Sequence, residues 1–264
     1  MTKLLLVHLT ETWRKAVDSG LTVAVAFVDF CKAFDSVLHQ VLLEKLRANF
    51  VICDKALGWI ASSLNGRKQY TVVNGYNSDT MPISIGIPQG SVLGPLLFSL
   101  FVNDLPSNVK SGFVYSFADD TTIYCIKRMA DEAVAQLDKA LDELYDWCIL
   151  NRLTSHPEKS EAMLICKTRP KGPVAPIHIG TDAIVWVNKS HLLGMTVDDK
   201  LSWVPHMLDL KKSFTKKLDP IRRSRFLPKH TLTNFYFKVI LPTVTCGLVL
   251  WGSCFNTDLF DSLE

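Results

Sequence analysis

The sequence has no Cys-x-x-Cys pair, no internal repeat, no low-complexity tract and no apolar run long enough to cross a bilayer. Its seven cysteines (Cys31, Cys53, Cys125, Cys148, Cys166, Cys246 and Cys254) are odd in number and widely spread. That pattern argues against a disulfide framework and a structural zinc site, and a reducing compartment is the natural reading. The run Leu4 to Val7 is too short for a signal-peptide core, and Val239 to Trp251 is interrupted by Pro242, Thr243, Thr245 and Gly247. The expectation is a soluble intracellular protein, cytoplasmic or nuclear, with no membrane partner.

What is present is apolar content. With 48% hydrophobic residues, 264 residues can bury a full core in one large domain, or in one domain with an appendage. Charge is unevenly placed. Residues 200–238 hold ten Lys or Arg against Asp209 and Asp219, a local +8 within an overall +3, so the remainder carries −5. A mildly acidic body with a basic C-terminal segment suits a polyanion lying against one end, although a solvated helix face explains the same charges.

The run Val23 to Val28 (VAVAFV) is too short for a helix and reads as a strand buried on both faces, ending at Asp29. Helical spacing predicts helices over 36–49 and 54–64, and two apolar stretches, 70–73 and 81–85, predict a hairpin around the turn-rich residues 74–80. Ser91 is placed to cap a helix whose apolar content runs from Val92 to Val102, with Pro95 in its first turns; that helix is expected to be buried on nearly all sides. Strands at 113–117 and 121–126 flank an Asp119-Asp120 turn, and 131–148 is an amphipathic helix. Short strands follow at 162–166, 184–187 and 192–197, with a Pro-rich and Gly-rich connection at 167–176. Helices are then expected at 205–218 and 229–241. The pattern is that of an α+β sheet domain with a helical appendage.

Three acids stand out. Asp29 ends a buried strand, where an acid can serve as a strand end or helix cap. Asp119-Asp120 sit at a hairpin tip, where Asp also favours turns. Taken together they admit another reading. Side-by-side carboxylates repel unless a cation neutralises them, and two divalent cations held by acids from different strands can drive an in-line phosphoryl displacement.

The blocks around these acids carry a resemblance. Residues 28–39 (VDFCKAFDSVLH) resemble motif A of the reverse transcriptases of LINE-like retrotransposons, those without long terminal repeats. Residues 86–98 (GIPQGSVLGPLLF) resemble their motif B and 117–120 (FADD) their motif C. Residues 66–70 (GRKQY), 159–161 (KSE) and 192–203 (LLGMTVDDKLSW) resemble the segment ahead of motif B, motif D and motif E, all in family order from about Thr10 onward.

The resemblance implies an RNA-directed DNA polymerase with a right-hand palm, an antiparallel sheet with packed helices, over 23–200. It also implies a partial helical thumb over 201–264, and fingers reduced to a remnant or connection over 1–22. Asp29, Asp119 and Asp120, with the Phe30 carbonyl, would hold two Mg²⁺ ions, or Mn²⁺. Phe34 matches the steric gate against ribonucleotides, and Gln89 with Gly90 matches the pair against the incoming nucleotide and template. Lys159 matches the lysine that neutralises or protonates the leaving pyrophosphate. Leu193, Gly194 and Met195 match the primer grip, and Lys211, Lys212, Lys216, Lys217, Arg222 and Arg223 the thumb contacts to nucleic-acid phosphates. The implied partners are an RNA template, a DNA primer and deoxynucleoside triphosphates.

Departures from the family pattern are also part of the reading. Only 28 residues precede Asp29, so the triphosphate-binding fingers are expected to be largely missing, with Arg14 and Lys15 read as solvated on a short helix. No endonuclease is seen, the thumb is expected to end just after Trp251, and His156 stands where the family often has asparagine. A truncated relic that at most binds nucleic acid is the alternative to an active polymerase.

Overall fold

The computed structural model describes residues 2–170, 172–223 and 226–252; Arg225 and Cys254 lie outside them, as does the side chain of Arg222. The chain begins with α1 (Thr2–Asp18), β1 (Thr22–Val28), a single 3₁₀ turn at Ala33–Ser36, α2 (His39–Phe50) and α3 (Asp54–Leu64). Four two-residue strands follow, β2 (Lys68–Gln69), β3 (Val72–Val73), β4 (Tyr76–Asn77) and β5 (Met81–Pro82), then α4 (Gly94–Val102) and α5 (Leu105–Asn108). The hairpin β6 (Phe113–Phe117) and β7 (Asp120–Lys127) leads into α6 (Ala130–Asn151), β8 (Glu161–Ile165), β9 (Ile177–Ile179) and β10 (Asp182–Trp186). Last come β11 (Lys189–Leu192), β12 (Met195–Asp198), α7 (Val204–Arg223), α8 (Lys229–Phe235), α9 (Leu241–Thr245) and α10 (Leu248–Trp251).

The main sheet has the order β6-β7-β1-β8-β10-β9 and is antiparallel except for the β8–β10 pair. As its unbroken apolar run predicts, β1 is buried along its whole length, and alternation sends its side chains to two different cores. Ala24, Ala26 and Val28 join Leu137, Ala140, Leu141 and Leu144 of α6 on one face. Val23, Val25 and Phe27 join Leu6, Leu9 and Trp13 of α1 on the other, with Met207 and Leu210 of α7 and Trp251 of α10. The N-terminal helix is therefore a full layer of the fold. It runs 17 residues, longer than the short helix expected, and Trp13 is 0% exposed; Arg14 and Lys15 are exposed on it as expected, with Arg14 also donating to the Leu201 carbonyl at 3.2 Å.

Three further readings change in detail. The predicted strand over 192–197 is a hairpin instead: Leu193 and Gly194 take φ of 51° and 82°, and Leu192 pairs with Met195, the geometry of a two-residue type I′ turn. The helix after Ser91 starts at Gly94, although Ser91 Oγ does accept the Gly94 N–H at 3.0 Å. One of its sides is open, with Leu96 exposed and Val92 just ahead of it 97% exposed, because apolarity all round does not decide which side finds a partner. The helix expected over 229–241 widens into a π-helical stretch at Tyr236–Ile240 just before Pro242, whose missing N–H cannot continue an α-helical ladder.

Among the described residues no helix is long and apolar enough to cross a membrane. Burial pushes the Cys125 and Cys148 thiols up to about 12, which makes them core residues rather than nucleophiles.

Candidate active site

The sheet delivers the acids. Register between β1 and β7 ends at Val28↔Thr121, which sets Asp29 beside Asp120 as the two strands leave the core. Phe117 pairs with Asp120, so the two central turn residues are Ala118 and Asp119, and Asp120 is the first residue of β7 rather than part of the tip. Ala118 has a φ of 55°. A Cβ in that region costs about 1 kcal/mol, strain that the paired strands hold in place and that presents Asp119 at the apex. The Asp120 carboxyl is raised above the ordinary carboxylate range, first by burial and then by the charges of Asp119 and Asp29. Asp120 therefore stands within electrostatic reach of both Asp119 and Asp29.

Asp29 is fixed from behind by residues 154–160. Its N–H donates to Ser160 Oγ at 3.2 Å and its carbonyl accepts the His156 N–H at 2.8 Å. Cys31 donates its N–H to the Thr154 carbonyl at 2.8 Å, and Phe30 bridges Ser155. The same loop carries Lys159, whose Nζ stands 3.9 Å from Asp29 Oδ2. That lysine is 66% exposed, so the pair adds little stability; what it supplies is a mobile positive charge beside the acids.

A second strip of chain closes the other side. Residues 85–87 run antiparallel to 34–38, with Gly86 N–H on the Val37 carbonyl at 2.8 Å and Ile87 N–H on the Phe34 carbonyl at 2.7 Å. His39 Nε2 adds a bond to the Gly86 carbonyl at 2.7 Å. Gly86 has a φ of 89°, and a Cβ there would stand 2.9 Å from the Asp35 carbonyl oxygen, so only glycine fits. Beyond it, Gln89 Nε2 donates to Asp35 Oδ1 at 2.9 Å. Gly90, with a φ of 77°, has open space where a Cβ would go; its conformation, not crowding, calls for glycine. The Phe34 ring stacks on Phe98 of α4 with centroids 4.6 Å apart and planes 28° apart, so its orientation is set by the core.

These pieces enclose one cavity of about 620 Å³. Its walls include Asp29, Phe30, Phe34, Gln89, Gly90, Asp119 and Lys159, so seven residues singled out from sequence meet in one place. Asp120 is not part of the wall itself but follows Asp119, which is. An adjoining cavity of about 810 Å³ shares Lys32, Pro88 and Gln89 and adds Arg67. Among the described residues no group of three or more His, Cys, Asp or Glu is arranged so that it could hold a metal ion. The acids at and beside this cavity, Asp29, Asp119 and Asp120, are all oxygen donors, a type that suits a hard divalent cation and not a soft transition metal.

Residues expected further along are placed separately from this cavity. Leu193 and Gly194 form the β11–β12 turn, and Met195 is buried against the α1 side of the sheet. On α7, Lys212, Lys216 and Arg223 are exposed, and their spacing puts them within about 40° of one another around the helix. Lys211 is half-buried, and Lys217 donates to Thr243 Oγ1 at 2.6 Å, which holds it against α9. Sequence reasoning missed Ser160, Asp35, His39 and Lys32 as parts of the site. All four lie inside the motif blocks quoted above, but their parts in the site are hydrogen bonds or charge that no spacing reveals.

Comparison with known proteins adds the remaining evidence. Residues 7–197 match the family model for reverse transcriptase (RNA-dependent DNA polymerase). The RNA-directed DNA polymerase from mobile element jockey of Drosophila melanogaster is 28% identical over 86% of this chain and 26% of that protein. The probable RNA-directed DNA polymerase from transposon BS of the same species is 26% identical over 93% of this chain and 28% of that protein. The chain thus spans about a quarter of the length of these curated relatives. The apo telomerase of Candida tropicalis superposes with a TM-score of 0.50 at 11% identity, covering 74% of this chain and 35% of the telomerase, which is a likeness of fold alone. With a family model matched from α1 to β12 and the acids of its motif blocks gathered at one sheet corner, the chain belongs to the reverse transcriptase family and is of the LINE-like kind.

Proposed function

We propose that this chain carries the catalytic corner of an RNA-directed DNA polymerase, extending a DNA primer on an RNA template with deoxynucleotides. In this reading residues 23–200 are the palm, 201–264 a partial thumb and 1–22 a connection to fingers. The observation that supports it is the single cavity walled by Asp29, Phe34, Gln89, Gly90, Asp119 and Lys159, with mutually repelling acids at its mouth.

Asp29, Asp119 and Asp120, with the Phe30 carbonyl, would hold two Mg²⁺ ions, or Mn²⁺ in their place. When bound, such a pair activates a primer 3′-hydroxyl and neutralises a leaving pyrophosphate. The rest falls to the chain's own groups. Phe34, braced by Phe98, presents a fixed ring where a sugar 2′-hydroxyl would collide. Gln89 and Gly90 line the approach of the base pair, and Gly90 leaves room for close backbone contact. Lys159 can donate a proton to the pyrophosphate oxygen as it leaves. Lys32 and Arg67, both exposed around the adjoining cavity, would attract the triphosphate tail. The β11–β12 turn would steady the primer end, and Lys212, Lys216 and Arg223 would follow the duplex backbone, with Lys211, Lys217 and Arg222 as flanking charge.

Primer extension on an RNA template with Mg²⁺ or Mn²⁺ tests this, with Asp119→Asn as the control. The proposal expects metal-dependent extension that the substitution abolishes. Extension unaffected by Asp119→Asn would remove Asp119 from the catalytic site, whereas binding of primer-template without any extension under either metal favours the relic reading instead.

A further inference from the structure

Ser160 stands immediately before β8 and is 1% exposed. Its Oγ accepts the Asp29 N–H at 3.2 Å and donates to the His156 carbonyl at 3.0 Å, while the His156 N–H goes to the Asp29 carbonyl at 2.8 Å. Both backbone polar groups of Asp29 are therefore held by one short loop. The position needs such support. Asp29 lies two residues past the last β1–β8 pair, Phe27↔Glu161, and one past the last β1–β7 pair, Val28↔Thr121, where a strand end ordinarily frays. The hydroxyl of Ser160 stands in for the missing ladder carbonyl. Because Lys159 is its neighbour, the same bond also fixes the lysine's loop against the acid it faces.

We infer that Ser160 is a positioning residue for the cation site: its hydroxyl sets the backbone from which the Asp29 carboxylate reaches the metal. This rests on the metal-site reading given above. Removing the hydroxyl leaves a half-buried N–H without this partner and lets the end of β1 move relative to the β6–β7 turn. Outer partners of metal ligands characteristically change affinity by about tenfold or more when lost. Duplex binding through α7, on other elements, should not change.

The test is Mn²⁺ titration of the purified chain, with free Mn²⁺ read by electron paramagnetic resonance, beside a primer-template binding assay. Ser160→Thr keeps the hydroxyl, whereas Ser160→Val has nearly the same shape without it, and Ser160→Ala removes it outright. The Val and Ala variants are expected to bind Mn²⁺ about tenfold more weakly, with the Thr variant close to wild type and duplex affinity equal in all. Equal Mn²⁺ affinity in Thr and Val variants overturns the role of the hydroxyl. Asp29→Asn separates the two levels: if it too binds Mn²⁺ as the wild type does, the metal-site reading itself fails. Should the Ala and Val variants not fold, hydrogen exchange at the Asp29 amide of the wild-type chain decides. Exchange as slow as that of Val28 supports the clamp, and exchange at the rate of an open loop overturns it.

Discussion

Two regions of the molecule use similar residues to opposite ends. The sheet corner at Asp29 and the arm formed by β2 to β5 are both rich in β-branched and aromatic residues, and both turn on glycines in left-handed conformations. In the corner, every strand that carries an acid is backed by a core, and loop bonds between 29–38 and both 85–89 and 154–160 lock it further. In the arm, Tyr70, Val72, Val73, Tyr76 and Met81 are all exposed and belong to neither hydrophobic cluster. The arm is two stacked two-residue ladders around Asn74-Gly75, a form marginally stable in water. β-propensity is therefore common to both regions; what separates them is whether a second layer covers the strand.

The largest expected effect lies in the corner's chemistry. Asp119→Asn should lower primer extension by about a thousandfold or more while leaving the fold intact, because several kcal/mol of charge stabilisation go with the cation site. Circular dichroism beside the extension assay separates loss of chemistry from loss of fold. A comparable fall on shortening the arm's tip would erase the distinction between the two regions.

Glycine substitutions compare the regions directly. Gly86 and Gly75 have similar φ, 89° and 83°, yet a Cβ at Gly86 meets the Asp35 carbonyl oxygen at 2.9 Å and one at Gly75 meets nothing within 4 Å. Gly86→Ala should destabilise the chain by roughly 2–4 kcal/mol, through strain plus overlap. Gly75→Ala carries only the backbone term, about 1 kcal/mol, and confines it to the arm. Thermal melting should therefore drop clearly for the first and little for the second, and equal drops would show that the arm unfolds with the core.

A smaller effect sharpens the role of the braced ring. Phe34→Val should narrow the preference for deoxynucleotides by about tenfold or more, since roughly 1–3 kcal/mol of exclusion is what one such contact provides. Single-nucleotide incorporation with matched ribo- and deoxyribonucleotides measures it, and unchanged discrimination removes Phe34 from that role.

The smallest is a pH effect. Asp120 has a raised native pKa, so the folded state holds its proton longer than the unfolded chain does. In metal-free buffer, stability is then full below the ordinary carboxylate pKa and falls as pH rises through the native value. Asp120 is only partly shielded by its surroundings and keeps an exposed face, so the fall is screened and slight. Asp120→Asn should flatten it, and Mg²⁺ should offset it in the wild type. A wild-type profile that rises over the same window would mean the acids do not repel one another.

Much of this corner was legible in the sequence because burial leaves a pattern. The VAVAFV run, the amphipathic spacing of α6 and the turn between two apolar stretches fixed β1, α6 and the β6–β7 hairpin, and with them the acids. The motif blocks then placed Phe34, Gln89, Gly90 and Lys159 around the same cavity. What stayed hidden depends on contacts distant in sequence. The α1 layer carries Leu6, Leu9, Trp13 and Ala16 at helical spacing, but without the sheet face opposite them they read as a short connection. Ser160 and His39 act through single hydrogen bonds to backbone atoms of residues 131 and 47 positions away. The arm reads from sequence as a plain hairpin because two apolar stretches flank turn-rich residues. Its Asn74-Gly75 turn is tighter than the loop expected over 74–80, since Tyr76 and Asn77 pair back onto Val73 and Val72.

The central claim is that acids from β1 and the β6–β7 turn form one cation site. An experimental structure of the chain with Mn²⁺, read by anomalous scattering, tests it most directly. The account predicts metal density between Asp29 and the Asp119-Asp120 pair, with carboxylate oxygens at about 2.0–2.4 Å, bound strongly enough to disappear in Asp29→Asn. Metal bound only elsewhere, or an Asp29 carboxylate lying more than about 10 Å from that of Asp119, would contradict it.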